Sequence, residues 1–174
     1  MRFILLLIPF LLFGNSLDRE LQNLSTDQKK ILVWVYEKAE PYDLKWTMMA
    51  IAWQESSFGK YLIGRTSPDY GIFQVNINSF ERRYSNHWRE MGVNFDREQV
   101  AYYLINDKEL NFVASLEEIL FWRDIHNGNW NKIWASYNGG YKGNFNYAQK
   151  IKAKIRALKR FLTKNSIMSL KEEL

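Results

Sequence analysis

The segment Trp53-Gln54-Glu55-Ser56-Ser57-Phe58-Gly59-Lys60 closes an otherwise apolar, helix-forming run, Leu44 to Ala52, with a carboxylic acid. Met48, Ile51 and Ala52 precede Glu55 by seven, four and three residues, which places all four on one helical face. Glu55 therefore projects from an apolar stripe. It also stands near a helix C-terminus, where the macrodipole opposes negative charge. Both surroundings raise a carboxyl pKa. A carboxyl that holds its proton near neutral pH suits general acid catalysis. Taken alone, Glu55 reads more simply as a residue that turns out to solvent at the helix end, so the rest of the chain must supply a site around it.

Other chemistries are missing their parts. The chain has no cysteine, which removes disulfides, thiolate nucleophiles, cysteine zinc sites and lipid attachment at a cysteine. His87 and His126 form no H-E-x-x-H pair and read as ordinary surface or core residues. No G-x-S-x-G elbow, P-loop or G-x-G-x-x-G is present, and Gly139-Gly140-Tyr141-Lys142-Gly143 is too loose to cradle a phosphate. Neither a metal nor an organic cofactor is implied.

The elements that must position Glu55 belong to one domain of ordinary composition. The chain has 174 residues, 47% hydrophobic and 25% charged, enough for a core without staples. Arg2, eleven apolar residues from Phe3 to Phe13, and Gly14-Asn15-Ser16 have the layout of a secretory signal peptide. Residues 1–16 are expected to be removed, leaving a single domain, 17–174, exported and without stable membrane insertion. Helical patterns are expected from Ser25 or Thr26 to about Ala39, from Leu44 to Ser56 with Gly59 as its stop, and at about 79–91, 97–105, 109–126, 130–137 and 147–164. Between the second and third of these, Tyr70-Gly71-Ile72-Phe73-Gln74-Val75 reads as one or two short strands. The last helix repeats Ala148, Ile151, Ile155, Leu158 and Leu162, and carries Lys150, Lys152, Lys154, Lys159 and Arg160 as a solvated face. The fold is expected to be mainly α: a helical lobe with a small β or loop insertion just after the helix that bears Glu55. A pI near 9.3 alone would admit nucleic acid, but the export signal argues against it.

Three short strings in order then carry a resemblance: Glu55-Ser56 at a helix end, Gly71-Ile72-Phe73-Gln74, and Ala135-Ser136-Tyr137-Asn138-Gly139-Gly140. They resemble the lysozyme-like lytic transglycosylases, whose pattern is E-S, G-L-M-Q and A-Y-N-x-G, over about Lys45 to Asn146. Phe73 stands where Met is usual, and Ser136 separates Ala135 from Tyr137. The string Asp69-Tyr70-Gly71-Ile72-Phe73-Gln74-Val75-Asn76 also resembles the catalytic strand of c-type lysozymes. It resembles the small transglycosylases of secretion and conjugation machines as well. The missing disulfides favour the bacterial group.

The resemblance implies cleavage of the β-1,4 bond between N-acetylmuramic acid and N-acetylglucosamine in periplasmic, wall-associated peptidoglycan. Glu55 would be acid and then base, giving a 1,6-anhydro product. Asp69 would assist, or serve as the second carboxylate of a lysozyme-type hydrolase, or merely form a turn. Substrate contacts are expected from Ser56, Gly71, Phe73, Gln74, Tyr137 and Asn138, with Tyr137 bonded to Glu55, Gly71 allowing close approach of backbone to sugar, and Tyr70 a further candidate for stacking. The glycan strand is the expected partner, with a secretion, conjugation or appendage apparatus as a possible second. A non-catalytic peptidoglycan-binding assembly subunit is the alternative outside enzymology.

Overall fold

The computed structural model describes residues 9–92 and 94–174, with side chains from Ser16 onward apart from Lys164. Residues 1–8 of the expected signal peptide lie outside the described residues. The described chain is mainly helical with one small hairpin, in the order α1 (Pro9–Gln22), α2 (Thr26–Ala39), α3 (Lys45–Ser56), β1 (Asp69–Tyr70), β2 (Val75–Asn76), α4 (Ile77–Glu90), α5 (Arg97–Asn106), α6 (Lys108–Ile125), α7 (Trp130–Gly139), α8 (Phe145–Lys164) and α9 (Ile167–Glu172). No described helix is long and apolar enough to cross a membrane.

Local chemistry sets the boundaries. Ser25 caps α2 through a reciprocal box with Gln28: the Ser25 Oγ accepts from the Gln28 amide at 3.3 Å, and Gln28 Oε1 accepts from the Ser25 amide at 3.0 Å. Asp107 caps α6, accepting from the amides of Glu109 and Leu110 at 2.9 and 3.0 Å. Pro41 sits inside a short 3-10 turn, Glu40–Tyr42, that follows α2.

Helix α3 is the axis of the molecule. Every residue from Thr47 to Trp53 is buried. A helix apolar on all sides belongs inside a core, and α3 packs between α2 and α8. Met48, Met49 and Ile51 are fully buried there, each contributing about 1.5–3 kcal/mol relative to exposure. A second, smaller cluster of Ile77, Phe80, Val100, Leu104 and Ala114 joins α4, α5 and α6 beside the hairpin.

Several local expectations are corrected. Gly59 does not end α3. Ser57 and Phe58 do so, both in left-handed conformation (φ 52° and 54°), with their amides returning to the carbonyls of Trp53 and Ala52. The apolar string 70–75 is not a continuous strand. Gly71 (φ 83°) and Gln74 (φ 49°) turn the chain, so Asp69 pairs with Asn76 and Tyr70 with Val75. The basic face of α8 is not wholly solvated. Lys154 Nζ lies 3.8 Å from the centre of the Trp53 ring and 4.0 Å from Glu20, and burial lowers its pKa to about 8. Glu20 also accepts from Trp53 Nε1 at 3.1 Å, and Asp18 pairs with Arg160 at 2.8 Å, so these contacts dock α1 onto α3 and α8.

Candidate active site

A groove of about 860 Å³ opens between the hairpin, α4, α6 and α7. Glu55, Asp69, Gln74, Tyr137 and Asn138, far apart in sequence, all line it. The remaining three expected contact residues, Ser56, Gly71 and Phe73, are buried behind its wall.

Glu55 comes from the last turn of α3. Its Oε1 is buried without a hydrogen-bond partner. Burial pushes its pKa up to about 7, the neighbouring Asp69 charge adds to the rise, and the Tyr147 hydroxyl opposes it. The Tyr147 hydroxyl is likewise buried and makes no hydrogen bond of ordinary geometry, so it faces Glu55 electrostatically rather than clamping it. Burial and the Glu55 charge hold the Tyr147 phenol well above its usual range, so it stays protonated and can donate when Glu55 ionises. Tyr147→Phe removes the influence that lowers the Glu55 pKa. The alkaline limb of its pH–rate profile is therefore expected to move upward relative to wild type. An unmoved limb would show that Tyr147 only packs.

Asp69 is not just a turn residue. It opens β1, accepts from Asn76 Nδ2 at 2.7 Å and from the Ser67 hydroxyl, and faces the groove with Glu55. Asn76 in turn caps α4 through the amides of Asn78 and Ser79 at 3.1 and 3.2 Å. The hairpin register, the α4 cap and the second carboxylate are thus one connected unit.

Tyr137 departs from its expected bond to Glu55. Its hydroxyl donates to the Phe73 carbonyl at 2.9 Å and shares a 2.9 Å contact with Ser115 Oγ. It fixes the loop before Gln74 rather than the acid. Gln74 has less to offer a sugar than its amide suggests. Its Nε2 donates to the carbonyls of Gly71 (2.9 Å) and Tyr61 (3.4 Å), which leaves the amide oxygen for a ligand. Asn138 is exposed, and its Oδ1 accepts from Asn144 at 2.8 Å, leaving its amide hydrogens available.

The buried trio holds this wall in place. Ser56 Oγ donates toward the Ile72 carbonyl at 2.7 Å and accepts from Gly59 at 2.8 Å, tying the helix end to the hairpin loop. The Phe73 side chain is fully buried, edge-on to Phe112 at 5.8 Å, so it cannot stack on a sugar. The close approach at Gly71 is to protein, not to substrate. A Cβ there would overlap the Leu104 carbonyl oxygen and the Asn111 side-chain amide. Tyr70 is half-buried and packs with the small α4–α6 cluster.

Residues outside the motifs complete the site. Asn111 is fully buried in α6 and ties down the hairpin's connecting loop, accepting from the Phe73 amide at 2.9 Å and donating to the Tyr70 carbonyl at 2.8 Å. An asparagine inside Leu110-Asn111-Phe112 was its signal in the sequence. Tyr147 gave none, since it reads as one more apolar position of α8. Phe121, Trp122 and Tyr141 line the groove with aromatic surface, with Tyr141 edge-on to Trp122 at 5.0 Å. No group of three or more metal-ligating side chains occurs among the described residues.

One aromatic-lined groove thus holds a largely buried carboxyl, its pKa raised to about 7 by burial, together with a second carboxylate held by Asn76 and Ser67, on a helical lobe with a small hairpin. A relative from Enterobacteria phage T4, an uncharacterized 20.7 kDa protein in the vs-regB intergenic region, is 30% identical over 115 residues, which cover 64% of this chain. The matched region spans 61% of that relative's length. No solved structure matches the chain. The family model described as the Transglycosylase SLT domain matches residues 33–159, from within α2 to within α8 and including every groove residue discussed above, and the chain belongs to that family.

Proposed function

We propose that the protein is a peptidoglycan lytic transglycosylase with Glu55 as its single acid/base. The observation that carries this reading is the groove-lining Glu55 carboxyl, with a buried, unpartnered oxygen and a pKa near 7. In its protonated form it donates to the glycosidic oxygen as the bond to C1 of the muramic sugar breaks. Positive charge then develops at C1, where the substrate's N-acetyl group and the Asp69 carboxylate can support it. The resulting Glu55 carboxylate takes the proton from the C6 hydroxyl, which closes on C1. One carboxyl acts in both directions, as microscopic reversibility requires, and no water is consumed. The aromatic wall and the available polar atoms of Gln74 and Asn138 suit N-acetylated sugars.

One observation favours a second reading. Asp69 lines the same groove and is held by Asn76 and Ser67, as a lysozyme-type hydrolase would need. Mass spectrometry of digested peptidoglycan decides between the two, because anhydro products are lighter than hydrolytic ones by one water, about 18 Da, for the same bond broken by the same acid. The expected products are 1,6-anhydro ends, with Asp69→Asn slower but unchanged in product. Predominantly reducing ends, with no activity left in Asp69→Asn, would establish the hydrolase.

The setting we infer is the periplasm, at the wall, after export by the leader at residues 1–16. We further propose local wall opening for a secretion, conjugation or appendage machine, on the resemblance carried by Asp69 to Asn76. Fractionation of the producing cell tests the placement, and peptidoglycan binding by the Glu55→Gln protein without any wild-type turnover would instead support a purely binding role.

A further inference from the structure

The charges around the groove do not balance in the way an anionic polymer requires. Glu55, Asp69 and Glu118 line it, and Arg83, which also lines it, is engaged by Glu118 and by the Ala114 carbonyl at 3.2 Å. Arg97 is paired with Glu81. Arg82 is different. It is exposed, lines the groove, and has no acidic partner among the described residues. Its own helix fixes it instead: Nε donates to the Asn78 carbonyl at 3.3 Å and Nη2 to Ser79 Oγ at 3.2 Å. Ser79 is also the residue whose amide is capped by Asn76, the partner of Asp69. Arg82 therefore stands about 9 Å along the helix axis from the Asn76 cap that holds Asp69. A guanidinium with no acidic partner among the described residues thus lines the same groove as Glu55 and Asp69.

A substrate sugar in that position presents an acid of its own. In a muramic residue the lactyl arm at C3 ends either in a free carboxylate or in a peptide that carries carboxylates. The Asp69 carboxylate in the groove repels such a group, and the Arg82 guanidinium on the same lining offsets that repulsion with directional N–H donors. We propose that Arg82 is a specificity-determining residue that receives a carboxylate borne by the lactyl arm, its own or its peptide's. This rests on the peptidoglycan reading of the groove. Arg82 discriminates among strands by charge and takes no part in proton transfer.

The test separates recognition from turnover by measuring binding in the Glu55→Gln background. Reducing-end-labelled glycan strands are prepared with peptides intact, with the carboxyls of those peptides amidated, and with peptides removed by an amidase, which frees the lactyl carboxylate. Adding Arg82→Gln is expected to weaken binding of intact strands about tenfold, the effect of losing one charge-assisted contact. Amidated strands should bind both proteins within a factor of two. A tenfold loss confined to peptide-free strands identifies the lactyl carboxylate, which is free only there, a loss confined to intact strands identifies the peptide, and a loss on both shows that either carboxylate is received. Equal losses on intact and amidated strands, or no loss on any strand, would overturn the proposal. Failure of wild-type protein to cleave any strand would instead count against the activity, which this binding readout does not use.

Discussion

Glu55→Gln is expected to lower strand cleavage by about 10²–10⁴-fold while leaving the fold intact, because glutamine keeps the shape but cannot pass a proton. The same substitution has a second signature. Burial raises the Glu55 pKa to about 7 in the folded protein, against 4.5 for an ordinary glutamate. Between those values the native state holds a proton that the unfolded chain has released, so stability is full below about pH 4.5 and falls as pH rises through 7. The shift corresponds to about 3 kcal/mol lost across that window. Denaturant melts at pH 4.5 and pH 8 should show this decline in wild type and not in Glu55→Gln. Wild-type turnover should also fall above about pH 7, where the acid form is depleted. Near-wild-type muropeptide release by Glu55→Gln would remove Glu55 from the mechanism.

Gly71→Ala is expected to be the most damaging small substitution in the groove wall. Its φ of 83° lies where an L side chain is strained, and a Cβ would overlap the Leu104 carbonyl and Asn111. Backbone strain of about 1–3 kcal/mol adds to the cost of displacing a packed neighbour. A total loss of about 3 kcal/mol or more follows, or a melting temperature lower by about 6–12 °C. Thermal unfolding measures it, and a loss under about 1 kcal/mol would show that Asn111 yields freely. In surviving folded protein, the shifted loop carries Gln74 with it, so binding of glycan should weaken too.

What could be read from the sequence depended on how local the cause was. The interior helices from α2 to α8 announced themselves by spacing and caps, and Glu55 by the apolar face it shares with Met48, Ile51 and Ala52. Asp69 and the hairpin were visible as composition, but not the turn at Gly71 and Gln74, because a β-favouring string says nothing about left-handed residues within it. Roles assigned to Phe73, Gly71 and Tyr137 failed for a single reason. A motif gives residue identity, whereas the contacts with Phe112, Asn111 and Ser115 come from α6, which is distant in sequence from all three, Tyr137 lying 22 residues from Ser115. Tyr147 was hidden by its surroundings, since one polar atom on an amphipathic helix leaves its period unchanged. Leu21 in α1 and Leu170 in α9 are buried by docking onto distant helices, and short segments carry too little period to announce it.

Asn111 has a consequence for the order in which the molecule assembles. Two paired residues per strand cannot sustain a hairpin alone. The hairpin's anchorage to α6 spans 38 residues from Phe73 and 41 from Tyr70. Closing such a loop costs entropy before any contact repays it. The helical core around α3 should therefore form first, and the groove should complete only when α6 arrives. Native-state hydrogen exchange should find the amides of Gly71 and Phe73 opening at lower free energy than those of α3, whereas equal protection would indicate a single cooperative unit. Glu55 would then be buried in the last step of folding, so a partly folded chain would carry an ordinary carboxylate and have no cleaving activity until the domain is complete.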